Sequence, residues 1–263
     1  MNGACPGGPD RPVDAAQRPT PLLLITGASG SVGTALRPFL RPGYRLRLQC
    51  RTRPFTDLST HEEAVQADVE DLAATERLMP GVDAVVHLAG QARSRATWDE
   101  VRGPNIDGTY NVFEAARRAG VRKVVFASTN HVMGMYDRDK AWPIHPEQAI
   151  RPDGYYGASK AFGEALARYY ADAFGMSMIC LRIGWVLDRP FNEQGLRMWL
   201  SPRDLGQIIR LSLETRIRFG IYYAVSSNRR CHWDVENARR ELGFSPLDDS
   251  EAFAAEIPAS GSP

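Results

Sequence analysis

Short continuous apolar runs alternate along this chain with stretches whose apolar positions recur every three or four residues. That is the pattern of parallel strands buried on both faces and of the helices that cross between them. Leu22-Leu23-Leu24-Ile25 is the first such run, and Ala35, Leu36 and Phe39 mark the helix after it. Tyr44 to Cys50 predicts a second strand, Ala64 to Asp68 a short third, and Glu70 to Met79 a helix. Asp83 to Gly90 predicts a fourth strand that runs into a loop of small residues, with His87 as a core residue. A long helix is expected over Trp98 to Ala119, kinked or broken at Pro104 and Gly108. Val121 to Ser128 is the fifth strand. A helix carrying Tyr156, Lys160, Phe162, Leu166, Tyr169 and Tyr170 to about Phe174 leads into a sixth, Met176 to Ile183. Ser201 before Pro202 reads as a helix cap with proline at the first helical position. Ile221 to Val225 and a closing helix, Trp233 to Leu242, complete the pattern. The alternation predicts one α/β domain over residues 21 to 250: Rossmann-type, doubly wound, with about seven mostly parallel strands flanked by helices and a small C-terminal substrate-binding part.

Composition narrows the partners. The 263 residues suffice for one large core and fall short of two. Lys plus Arg (32) nearly balances Asp plus Glu (31), so a small molecule is expected as partner, with no nucleic acid. Cys5, Cys50, Cys180 and Cys231 are scattered, with no C-x-x-C and no histidine at ligand spacing, so neither disulfides nor a metal site is expected. That usage suits the cytoplasm. No apolar run has the ~18 residues of a membrane span. Residues 1 to 20 lack a signal peptide's apolar core and read as a disordered extension, and the last residues, 251 to 263, as a flexible tail.

Candidate chemistry sits at the ends of the predicted strands. T-G-A-S-G-S-V-G, between the first strand and its helix, spaces Gly27, Gly30 and Gly33 so that backbone can lie against a pyrophosphate facing a helix N-terminus. Glycines also mark ordinary turns; the position between strand and helix favours a dinucleotide. Dinucleotide-binding folds that select NAD place an acidic side chain at the end of the second strand, where this chain has Gln49-Cys50-Arg51-Thr52-Arg53. Arg51 and Arg53 read equally as a fork for a 2′-phosphate or as solvated loop arginines. Asp68 is a candidate adenine contact. Tyr156 and Lys160, four apart, share a helix face, and an ammonium nearby favours the phenolate of a group whose ordinary pKa is ~10. An exposed i, i+4 pair is the plainer reading. The fifth strand delivers Ser128-Thr129-Asn130-His131 to the sheet's carboxyl edge, where a hydroxyl can hold a substrate oxygen.

Taken in order, T-G-x-x-G-x-x-G, V-H-L-A-G, N-I-x-G-T-Y-N, F-A-S-T-N-H and Y-G-A-S-K resemble the extended short-chain dehydrogenase/reductases, the NAD-dependent epimerase/dehydratase superfamily. F-A-S-T-N-H, R-P-D-G-x-Y-G-x-S-K-x-F-G-E, L-R-I-G and R-M-W-L-S look most like the uronate dehydrogenases, which oxidise the anomeric carbon of a uronic acid to an aldarolactone with NAD. The resemblance implies Tyr156 as acid/base, Lys160 as its electrostatic partner and Thr129 as the catalytic hydroxyl. It implies cofactor contacts from Gly27, Gly30, Ser31, Val32, Gly33, Arg51, Arg53, Asp68, Val69, Leu88, Ala89, Gly90, Ser128, Tyr156, Lys160 and Ile183. Asn105 belongs to that set from behind the active site. Asn130, His131, Trp185 and Arg197 are the implied substrate contacts, Arg197 clamping a carboxylate, and a homo-oligomer is expected. Two departures stand out: bulky Trp185 follows R-I-G where the family has a small serine, and Arg51 replaces the ribose-binding aspartate. The second predicts that NADP is accepted at least as well as NAD. A nucleotide-sugar epimerase or dehydratase, and a non-catalytic dinucleotide sensor, are the alternative readings.

Overall fold

The computed structural model describes residues 20–257; residues 1–19 of the expected extension over 1 to 20, and residues 258–263, lie outside them. In chain order the first elements are β1 (Leu22–Thr26), α1 (Ser31–Leu40), β2 (Arg45–Cys50), β3 (Glu62–Gln66), α2 (Leu72–Glu76) and β4 (Ala84–His87). Next come α3 (Trp98–Val101), α4 (Gly108–Arg118), β5 (Lys123–Thr129), α5 (Gly134–Arg138), α6 (Tyr155–Phe174) and β6 (Ser177–Ile183). The chain closes with β7 (Trp185–Val186), α7 (Glu193–Met198), β8 (Trp199–Leu200), α8 (Pro202–Glu214), β9 (Phe219–Ala224) and α9 (Glu236–Leu242).

Seven strands form one sheet in the order β3-β2-β1-β4-β5-β6-β9, every pairing parallel. All five residues of β1 are buried, which is why its sequence is an unbroken apolar run. Alternate side chains serve opposite faces. Leu23 and Ile25 pack with Leu36 of α1 and Leu205 and Ile208 of α8, while Leu22 and Leu24 pack with Val112 and Phe113 of α4 and Ala167 of α6. Strand order reverses between β1 and β4, and the crevice at their carboxyl ends is where such sheets take ligands.

The long helix over Trp98–Arg118 is interrupted where Pro104 and Gly108 led us to expect it, by a π-helical segment, Arg102–Asp107, because Pro104 lacks the N–H that would continue an α-helical ladder. Three local features differ from the pattern expected. Asp71 caps α2 by accepting from the Ala74 N–H at 3.1 Å, so that helix is shorter than the apolar pattern suggests. Trp233 is not helical: it is buried against Tyr223 at 5.1 Å and bridges to Ile144, so α9 starts only at Glu236. Residues 250 to 256 are not a loose tail but a 3-10 helix. Ser250 Oγ donates to the Leu196 carbonyl at 2.7 Å, and Phe253 meets Trp199 edge-on at 5.4 Å. Among the described residues no helix is long and apolar enough to cross a membrane.

Candidate active site

The turn after β1 is shaped for close backbone approach. Gly27 has φ +65°, and a Cβ there would stand 2.7 Å from Ala89 backbone atoms; a Cβ on Gly33 would stand 2.4 Å from the Ala28 carbonyl oxygen. The N-terminus of α1, with no side-chain cap and no acidic residue in its first turn, faces this turn. Gln49 at the end of β2 is committed elsewhere, accepting from the Gly27 N–H at 2.8 Å and donating to the Ala67 carbonyl. A cleft of ≈ 750 Å³ runs from Gly27, Gly30, Ser31, Val32 and Gly33 past Arg51, Arg53, Asp68 and Val69 to Leu88, Ala89 and Gly90. These residues fit a dinucleotide: bare backbone where a pyrophosphate would lie, and an uncapped helix end that would face it.

A second recess, ≈ 350 Å³, adjoins the first and shares Ser31, Val32, Leu88, Gly90, Gln91 and Ala92 with it. Ser128, Thr129, Asn130, His131, Tyr156, Lys160, Ile183 and Trp185 line it. β5 and the first turns of α6 bring the hydroxyl, the phenol and the ammonium together. The backbones are pressed close, since a Cβ on Gly157 would stand 2.3 Å from the His131 carbonyl oxygen and one on Gly163 would stand 2.3 Å from Phe126 Cζ.

Electrostatics follow from burial. Tyr156 is 8% exposed; burial raises its phenol above the ordinary pKa, and a hydrogen bond with the Thr129 side chain opposes that rise. The expected lowering of the phenol by Lys160 is not met: burial raises it, and the opposing contribution comes from Thr129. Lys160 is buried too, and the loss of hydration brings its ammonium down to about 8. Its Nζ lies 4.8 Å from the Phe126 ring centroid, and among the described residues no carboxylate pairs with it. His131 Nδ1 stands 3.0 Å from both Asp153 oxygens. Burial raises the Asp153 carboxyl, but the hydrogen bond with His131 and the His131 and Arg138 charges leave it below its usual range.

Two predicted site residues do not line either recess. Asn105, fully buried on the π segment, accepts from the Gln91 N–H at 2.7 Å and donates to the Gln91 carbonyl at 3.0 Å and to Ser159 Oγ at 2.8 Å. It braces the loop after β4 against α6. Arg197 stands over the Trp142 ring, 5.7 Å from its centroid, because α7, capped by Asn192, turns it that way. Ser128 does line the recess, yet its hydroxyl donates to Glu164 Oε1 at 2.6 Å. Sequence reading missed Gln91, Leu187 and Phe191, which also line the recess, and Glu70, which lines the cleft. Gln91 had a signal, as the residue after V-H-L-A-G; Phe191, in a loop without a motif, had none.

The NAD dependent epimerase/dehydratase family profile matches residues 23–189. The uronate dehydrogenase of Pseudomonas putida is 41% identical over 244 residues, covering 92% of this chain and 89% of that protein. An NAD-dependent glucose-6-phosphate dehydrogenase of Haloferax volcanii is 38% identical over 252 residues, covering 89% of this chain and 96% of that protein. A solved mutant of Agrobacterium tumefaciens uronate dehydrogenase complexed with NAD superimposes with a TM-score of 0.84 at 34% identity, covering 92% of this chain and 91% of that one.

Proposed function

The chain belongs to the NAD dependent epimerase/dehydratase family, and on that premise we propose that it oxidises the anomeric carbon of a uronic acid to the aldarolactone with a nicotinamide cofactor. The observation that carries this reading is the recess that gathers Thr129, Tyr156 and Lys160 beside the glycine turn's cleft. Thr129 and Tyr156 hold the anomeric hydroxyl, and Tyr156 as phenolate takes its proton. A nicotinamide held in the adjoining cleft would supply the hydride acceptor and a positive charge that favours the phenolate. Lys160 adds its own positive charge under Gly90. Asn130 and His131 orient the sugar, and His131 is itself held by Asp153. Trp185 and Phe191, stacked 5.7 Å apart at 15°, form an aromatic wall of the recess.

NAD is the cofactor of this reading. The expectation of NADP rests on Arg51 and Arg53, which line the same cleft. The test is a panel of uronic acids and matching neutral sugars with either nucleotide, read by absorbance of the reduced nicotinamide. Uronate turnover with NAD is expected; turnover of neutral sugars alone sinks the substrate assignment.

A further inference from the structure

Glu70 is the carboxylate that faces Arg51 across the adenosine end of the cleft. Their closest atoms, Arg51 Nη1 and Glu70 Oε1, are 3.6 Å apart. The two residues come from different strand ends. Arg51 follows β2, and its carbonyl accepts from Gln66 Nε2 at 2.9 Å. Glu70 follows β3 and is anchored twice through its backbone: its N–H donates to Asp68 Oδ1 at 3.0 Å, and its carbonyl accepts from Asn111 Nδ2 at 2.9 Å. Its carboxylate lies against Gly103, where an added Cβ would stand 2.1 Å from Oε2, so the absence of a side chain there makes its seat. Gln49, the polar residue at the end of β2, is spent on Gly27 and Ala67.

We propose that Glu70 sets the cofactor selectivity of this chain by holding Arg51 and keeping a negative charge where a 2′-phosphate would seek that arginine. The inference rests on the cleft being the dinucleotide site. A phosphate entering there must displace Glu70 from Arg51 and then stand beside its charge, whereas a bare ribose hydroxyl meets no such cost. Selectivity of this kind comes from a repulsive group. Here that group comes from the end of β3 and not from β2.

Isothermal titration of NAD and NADP into the full chain and its Glu70→Gln, Arg51→Ala and double variants tests this without turnover. Glu70 is solvent-exposed and glutamine keeps its shape, so the variant is expected to fold. Glu70→Gln should bind NADP about tenfold tighter than the parent and NAD within about twofold, the size of one charge-assisted contact. The gain should vanish in the double variant and shrink as salt screens it. NADP affinity unchanged in Glu70→Gln, or a gain that survives removal of Arg51, overturns the proposal while NAD binding keeps the site reading intact. If neither nucleotide binds any of the four proteins, the reading of the cleft falls, and the proposal with it.

Discussion

Tyr156 illustrates what a single residue's surroundings decide. Phenylalanine at that position keeps the ring and its packing against Ala96 and Val101 and removes only the proton acceptor. Tyr156→Phe is therefore expected to lose at least ~100-fold in turnover with NAD affinity within a few-fold, and near-parental turnover would sink the acid/base role. Lys160 carries the pH prediction. Its pKa in the fold is about 8, against 10.5 for a free side chain, so between those values the unfolded chain binds the extra proton. Folding stability attributable to Lys160 must then rise with pH across that window. Urea unfolding at pH 7.5 and pH 10 of the parent and Lys160→Met should give a difference that moves in the parent's favour by roughly 2 to 3 kcal/mol as pH rises. A pH-independent difference would show that the ammonium is well solvated. Both residues were legible as an i, i+4 pair, but the upward shift of the phenol was not: burial is a property of the packed site.

Elements fix where those residues stand. α6 is tied to the sheet by a fully buried pair in which Arg182 of β6 grips both oxygens of Glu164, each at 2.9 Å, while Ser128 of β5 donates to Oε1. One strand end, one neighbouring strand and the Tyr156/Lys160 helix thus share a single carboxylate. Removing it strands a buried guanidinium, so Glu164→Ala should cost about 3–5 kcal/mol in urea unfolding. Glu164→Ala combined with Arg182→Met should recover part of that loss; a further additive loss would mean the two residues act independently. The central strands of the large sheet were readable as apolar runs between turn signals, whereas β2 alternates as Arg-Leu-Arg-Leu-Gln-Cys and the edge strand β3, Glu62–Gln66, is mostly polar and was expected two residues late. β7 and β8, two residues each, give no period to read, whereas Asn105 stands behind the recess as expected, buried against the loop after β4 and α6.

At the scale of the molecule, the cleft depends on chain distant from it in sequence, and the terminal segment is the clearest case. α7 and β8 lie next to the wall made by β7, and the 3-10 helix Ser250–Glu256 holds them from outside. Ser250 bonds both the Leu196 carbonyl and Asn228 Oδ1, and Arg230 grips Glu251. Composition made this stretch look like a tail, because its anchors are single side chains that match no motif. A chain ending at Asp249 loses these contacts and the Trp199–Phe253 edge contact, which alone contributes ~0.5–1.5 kcal/mol. β7 pairs directly with β8, so the loosened wall is the one that carries Trp185. The glycine turn, α1 and the Thr129–Tyr156–Lys160 constellation lie on elements that the truncation leaves untouched. KM for the sugar is therefore expected to rise about tenfold at most, with kcat changed much less and NAD affinity unaltered, as steady-state kinetics and titration can measure. Parental KM in the shortened chain would mean that the segment only covers the surface, and a loss of NAD binding would mean that it supports the whole sheet.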